Sequence, residues 1–203
     1  KIGLPLSFVG LVNSVVNFGD KQFIMLYCGS EAMGTYNLAT LLATIPLIVF
    51  QSFNFVWLPN FLGEKNLHIL KKKNDRNAKI ILSILLLLSV FICLATYLLL
   101  QWNIFPRNYG EIISYLPMLL LSQVFAAIIL YYFNYFTYFE KTHIPMSLSI
   151  CGAFAGYLLY SFSAERFGAI GIASSIAIIN IATALLYIVF SNHYINKRIK
   201  TTA

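Results

Sequence analysis

An acidic and a basic residue, Asp20 and Lys21, stand next to each other inside a long apolar run of this sequence. Adjacent residues on a helix point about 100° apart, so these two side chains do not simply neutralise each other as a local ion pair. Asn13 and Asn17 precede them at helical spacing, and the four residues form one polar stripe. Such a stripe offers hydrogen-bond donors, acceptors and both signs of charge to water or to a polar ligand.

A second polar series follows in the next apolar run. It comprises Asn37, Thr40, Thr44, Gln51 and Asn54, and Ser122 and Gln123 add polar groups further along the chain. Polar groups that face lipid are costly, and ionisable residues within membrane spans face a bundle interior or a wet cavity. We therefore expect the first two helices to line a water-accessible cavity. The alternative, that these amides and hydroxyls only hydrogen-bond neighbouring helices, stays open.

The composition places these residues in a membrane protein. The sequence is 59% hydrophobic and 10% charged, whereas a soluble domain has about a quarter charged residues. The apolar segments are about 20 residues long, the length that crosses the hydrocarbon core. They must be helices, because lipid offers no partner for backbone groups and the alternation of barrel strands is missing. The sequence predicts an all-α, polytopic bundle of six transmembrane helices at residues 4–28, 32–62, 80–102, 111–139, 146–162 and 169–190.

Several boundaries and contacts of these spans can also be predicted. The second span is long for one crossing, so we expect a tilt, a kink at Pro46 or a first turn that lies in the membrane interface. Residues 63–79 form a basic linker between the second and third spans. The sequence GAFAG at residues 152–156 contains a GxxxG pattern, which allows close packing of helices.

Basic residues concentrate in alternate links between the predicted spans. One side of the topology carries eleven of them: Lys1, Lys65, Lys71, Lys72, Lys73, Arg76, Lys79, Lys141, Lys197, Arg198 and Lys200. The other side carries two, Arg107 and Arg166. The positive-inside rule therefore predicts that both ends of the chain are cytoplasmic. Because topology accounts for most of the net charge of +7, we expect anionic membrane lipids and no nucleic acid as partners.

The sequence contains no recognisable catalytic or metal-binding pattern. The three histidines lie in predicted links or the tail without metal-ligand spacing, and the three cysteines lie in or beside apolar runs without a C-x-x-C pair. HExxH, GxSxG and Walker patterns do not occur. The predicted external links are too short for the polar loop expected of a membrane glycan polymerase or ligase. We therefore expect no enzymatic activity and no metal.

A set of motifs gives a more specific indication. They are Gly3-Leu4-Pro5, Asn17 with Asp20-Lys21, Gly29, Gly34 with Tyr36, Pro59, and the stretch FGAIGIASSIAI at residues 167–178. Together they resemble the second half of the O-antigen and polysaccharide-repeat flippases of the multidrug/oligosaccharidyl-lipid/polysaccharide superfamily. The resemblance covers most of the chain as a topology and is most specific over residues 3–60. The family's Arg is Lys21 here, which keeps the charge but loses the planar, bidentate geometry.

This resemblance implies that residues 1–203 are a C-terminal six-helix bundle, one half of a MATE-like transporter whose N-terminal bundle is missing. The complete protein would move an undecaprenyl-diphosphate-linked oligosaccharide across the bacterial inner membrane by alternating access. Lys21 would attract the anionic head, and Asp20 would hold the environment of Lys21 or carry a coupling proton. No cofactor is implied beyond coupling to protons or sodium. The residues that would hydrogen-bond glycan hydroxyls are Asn13, Asn17, Thr44, Gln51 and Asn54.

Three other functions stay open. A drug or cation antiporter would be favoured by a long acidic relay within the membrane, whereas Asp20 is the one central acid in the sequence. A peptidoglycan lipid-precursor flippase would keep the same superfamily with a different cargo. An inactive, truncated membrane scaffold belongs to a different class and would transport nothing.

Overall fold

The computed structural model describes the backbone of residues 3–104 and 109–202 and the side chains of residues 18–104 and 109–200. Within these residues the chain forms helices and no strand, and four candidate spans are long and apolar enough to cross a membrane. The chain is therefore an all-α multi-pass membrane protein, as the sequence predicts. The helices are α1 (Gly3–Ala43), α2 (Ile45–Gly63), α3 (Leu67–Gln101), α4 (Ile112–Tyr138) and α5 (His143–Thr202).

Two of these five elements are broken by glycine. Gly29 in α1 has φ 86° and ψ 176°, and Gly168 in α5 has φ 59° and ψ −140°. Side chains disfavour such positive φ values, so glycine permits a corner at both positions. Each helix therefore has two arms, at residues 3–28 and 30–43 in α1 and at residues 143–167 and 169–202 in α5.

The two arms of α5 lie side by side. Ser175 Oγ donates a hydrogen bond of 2.9 Å to Ser163 Oγ, twelve residues earlier in the sequence. Twelve residues of a straight helix would span about 18 Å, so the chain must turn back between them. A Cβ added to Gly156 would lie 3.5 Å from Ile179 Cδ1. The GxxxG pattern therefore lies where the two arms pack at ordinary van der Waals distance.

The boundaries of α2 and α3 differ in how well the sequence predicts them. The break between α1 and α2 falls at Thr44, two residues before Pro46, where the sequence predicts a kink. The prediction of a linker at residues 63–79 is wrong, because α3 begins at Leu67. Asn66 caps this helix by accepting hydrogen bonds from the next backbone N–H groups. Leu70 and Ala78 then pack beneath the charged surface, which stabilises the first turns.

Helix α4 is the centre of the bundle and packs against all four other elements. Towards its C-terminal end, Tyr131 contacts Phe50 and Tyr135 contacts Phe61, both on α2. Towards its N-terminal end, Tyr115 joins a second buried cluster with residues of α1 and α5. The second cluster surrounds the acidic residue predicted as a site residue.

Candidate functional site

Asp20 lies buried between the two arms of α1. Its side chain is 6% exposed, and its Oδ2 accepts a hydrogen bond of 3.3 Å from the Tyr36 hydroxyl. Oδ1 accepts a 2.7 Å hydrogen bond from the backbone N–H of Lys21. Because sixteen residues separate Asp20 from Tyr36, their contact depends on the corner at Gly29. A carboxyl group with a hydroxyl neighbour can take up or release a proton while it keeps a hydrogen-bond partner.

Residues of three elements pack around Tyr36, the side chain that donates a hydrogen bond to this carboxyl group. Tyr36 is fully buried and packs with Ile24 of α1 and Tyr160 of α5 in one cluster. The Tyr36 ring also lies 5.7 Å from the Tyr115 ring of α4, measured between centroids. A charge at Asp20 would therefore lie beside a buried ring that packs against both α4 and α5. Protonation of Asp20 would change the free energy of this whole contact, because a buried charge is far more costly than a buried neutral group.

Lys21 is placed differently from its neighbour. Its side chain is half-buried, and Nζ lies 6.0 Å from the centroid of the Phe18 ring. That distance is at the outer limit of a cation–π contact. In the part of the chain that the structure describes, Lys21 forms no salt bridge. Its ammonium group can therefore attract an anionic ligand at the surface of this bundle.

Several of the predicted polar residues make their hydrogen bonds inside the bundle. Asn54 is half-buried, and its Oδ1 accepts a 2.9 Å hydrogen bond from Nδ2 of Asn134 on α4. The hydroxyl groups of Thr40, Thr44 and Ser122 donate to backbone carbonyl groups three or four residues earlier in the chain. The side chains of Asn13 and Asn17 lie outside the described residues. The role of these residues in ligand binding stays a prediction.

The outward faces of the helices differ in polarity. Between residues 84 and 94 of α3, every exposed side chain is apolar, as expected for contact with lipid. The second arm of α1 and helix α2 instead expose Asn37 and Gln51 among apolar residues such as Leu41 and Phe55. An amide that faced acyl chains without a partner would be costly. We refer to this surface, from residue 30 to residue 60, as the α1–α2 face.

Two residues near the predicted site could not be identified from the sequence. Tyr160 and Asn134 come from other elements, and residue types alone do not bring them to Asp20 or Asn54. The position of Tyr36, in contrast, could have been predicted from the sequence. Tyr36 lies seven residues after Gly29, and Asp20 lies nine residues before Gly29. A helical hairpin with its corner at Gly29 therefore puts these two residues at about the same depth in the membrane.

Two solved structures resemble this chain. One is described as an outward-facing conformation of a multidrug resistance MATE family transporter of the MOP superfamily, with a TM-score of 0.83 and 19% sequence identity. The other is a crystal structure of MATE in complex with MaL6, with a TM-score of 0.81 and 18% identity. Each match covers 98% of this chain and 46% of the other chain. The chain has a MATE-like fold.

The MATE-like chain thus spans a little under half the length of the solved structures that it matches. No protein-family profile matches it, and no curated protein was found to be related. Both structural neighbours are transporters and not enzymes. Among the described residues, no group of three or more His, Cys, Asp and Glu could hold a metal ion.

Proposed function

We propose that this chain is the C-terminal half of a membrane exporter, and that the complete protein moves an undecaprenyl-diphosphate-linked oligosaccharide across the bacterial inner membrane. The main observation that supports an exporter is the MATE-like fold, which extends over 98% of the chain. The chain covers 46% of the neighbouring transporter, which supports an N-terminal bundle as its missing partner. Transporters built from two such bundles alternate access by rocking one bundle against the other.

The two glycine corners support six crossings in this half. A Cβ added to Gly168 would lie 3.4 Å from Sγ of Cys28, so both corners lie at the same end of the bundle. A cavity there is lined by Cys28, Glu111 and Ala169, which places the link between α3 and α4 at that end too. Six segments return the chain to the end from which it started. That end carries the basic residues and is cytoplasmic in this proposal.

The α1–α2 face and Lys21 would form this half's share of a polar path. Lys21 would attract the diphosphate, which suits an ammonium group that forms no salt bridge within the described residues. Amides such as Gln51 would hydrogen-bond sugar hydroxyls, while the lipid tail stays in the bilayer. Asp20 would carry a coupling proton, and its hydrogen bond with Tyr36 would link its charge to the packing of α4 and α5 around that ring.

A drug or cation antiporter is the second candidate, because one neighbour is a multidrug resistance transporter. A relay of several carboxylates within the spans would favour it. Asp20 is the one buried carboxylate among the described residues. This observation favours the flippase.

Disruption of the intact gene is expected to remove the surface glycan and to leave lipid-linked repeat units on the cytoplasmic side. Immunoblotting of the glycan and mass spectrometry of extracted lipids measure these two effects, with the wild-type gene restored as the control. If the protein is an antiporter, the disruption should reduce the efflux of cationic dyes and leave the glycan normal. If it is a peptidoglycan-precursor flippase, the cells should lyse. If it is an inactive scaffold, transport should not change.

A further inference from the structure

A polar pocket lies at the end of the bundle where α2 meets α3, away from Asp20 and Lys21. Its volume is about 590 Å³, which is within the range of about 300–1,000 Å³ found for small-ligand sites. Helix α2, the short link and the first turns of α3 form its walls. The polar residues that line it are Trp57, Asn60, Glu64, Lys73, Arg76 and Asn77.

The charges of this pocket leave one cation without a counterion. Lys73 Nζ lies 3.1 Å from Glu64 Oε2, and Glu64 Oε1 accepts a hydrogen bond from the backbone N–H of Asn66. The hydrogen bond from Lys73, assisted by that from Asn66, lowers the pKa of the Glu64 carboxyl group, so this group is charged at neutral pH. Arg76 is exposed and has no ion-pair partner among the described residues. The pocket therefore carries a net positive charge.

The indole of Trp57 adds a donor that lacks an acceptor. Its Nε1 atom is buried and has no hydrogen-bond partner within the described part of the chain. Buried donors are rarely left unpaired, because the cost of removing them from water is then not recovered. The ring packs between Phe53 and Phe61, at centroid distances of 6.2 and 6.3 Å, which holds the indole in place. The Trp57 side chain, held in place by these rings, and the free guanidinium group of Arg76 line one pocket.

We propose that this pocket binds the phosphate group of an anionic membrane phospholipid. The guanidinium group of Arg76 offers parallel N–H donors that match phosphate oxygens, and the side-chain amide of Asn77, which lines the same pocket, can supply a further donor. One and two turns beyond Arg76 on the same face of α3, Ile80 and Ile84 are 50% and 52% exposed and would contact the acyl chains. Tryptophan and clustered basic residues at a membrane interface suit this kind of headgroup.

Trp57 makes the pocket observable. In the full protein, with its other tryptophans, including Trp102, replaced by Phe, Trp57 fluorescence reports on lipid in the pocket. Vesicles of phosphatidylcholine that contain brominated phosphatidylglycerol are expected to quench Trp57 at a lower mole fraction than brominated phosphatidylcholine does. Arg76→Gln should raise the mole fraction for half quenching about fivefold, since one basic residue near the surface contributes about 1 kcal/mol. Glu64→Gln should lower it, because it removes a negative charge from the lining.

Lys72→Gln is the matched control, because Lys72 is exposed on the same helix but does not line the pocket. Equal quenching by the two brominated lipids would contradict the proposal. So would an equal effect of Lys72→Gln and Arg76→Gln, which would indicate a general surface charge. Inorganic phosphate is the third arm of the experiment. If it relieves the quenching at millimolar concentration, the pocket binds the free ion and the assignment to a lipid is wrong.

Discussion

Asp20→Asn and Lys21→Ala in the intact gene are each expected to reduce surface glycan about tenfold or more. Asp20→Asn keeps the shape of the side chain but removes the charge that accepts hydrogen bonds from Tyr36 and from the Lys21 backbone. Lys21→Ala removes the ammonium group. A hydrogen bond to a charged group contributes about 1.5–3 kcal/mol, which corresponds to a tenfold change or more. Immunoblotting of the glycan, normalised to the amount of transporter in the membrane, measures the loss.

Two variants serve as controls for this result. Glu165→Gln removes an exposed carboxylate from α5, outside the α1–α2 face, and should leave export unchanged. Lys21→Arg keeps the positive charge and should retain export. Normal glycan in cells that carry both Asp20→Asn and Lys21→Ala would remove these residues from the mechanism.

Gly171→Ala is expected to have the largest effect on folding. A Cβ at this position would lie 2.5 Å from the Ser163 carbonyl oxygen and 2.7 Å from Phe167 Cβ. The first contact is with backbone, which cannot rotate away, so the two arms of α5 would have to separate near the Gly168 corner. Overpacking of this kind costs about 1–3 kcal/mol, and we expect the upper end of that range. Thermal unfolding of the detergent-solubilised protein, followed by size-exclusion chromatography, measures the change in stability.

Gly156→Ala is the matched control on the first arm of α5. A Cβ there would meet Ile179 Cδ1 at 3.5 Å and Tyr160 Cζ at 3.6 Å, which are ordinary packing distances. We expect its stability to change by less than about 0.5 kcal/mol. If Gly171→Ala were as stable as Gly156→Ala, the close approach of the chain after the corner would be wrong.

The membrane class and most helices could be predicted because hydrocarbon imposes simple rules. Helix α4 occupies residues 112–138 and the prediction was 111–139, since a long apolar run is bounded by charges on both sides. The start of α3 could not be predicted in this way. The apolar residues Leu70 and Ala78 stand among lysines in the sequence, so the segment does not have the pattern of a span. Their burial against α4 becomes visible only in three dimensions.

Part of the site could also be predicted, because ionisable groups are costly in hydrocarbon. The cost of an acid within a span predicts that Asp20 faces the bundle interior or a wet cavity, and in the structure its side chain is buried against Tyr36. This free-energy cost does not predict which side chains surround Asp20. Tyr160 lies 140 residues later in the chain, and Asn134 meets Asn54 across two helices. Such partners depend on the packing of whole elements and leave no local pattern.

The central claim is that the α1–α2 face lines a water-filled path. Labelling of Gln51→Cys with a membrane-impermeant maleimide tests it most directly, in a protein whose other cysteines, including Cys28, Cys93 and Cys151, are replaced by Ser. We predict that Gln51→Cys reacts in intact membranes, whereas Leu87→Cys, at a position that is 71% exposed on the apolar face of α3, does not react. If Gln51→Cys reacts only after the membrane is dissolved in detergent, this face contacts acyl chains and the proposed path does not exist.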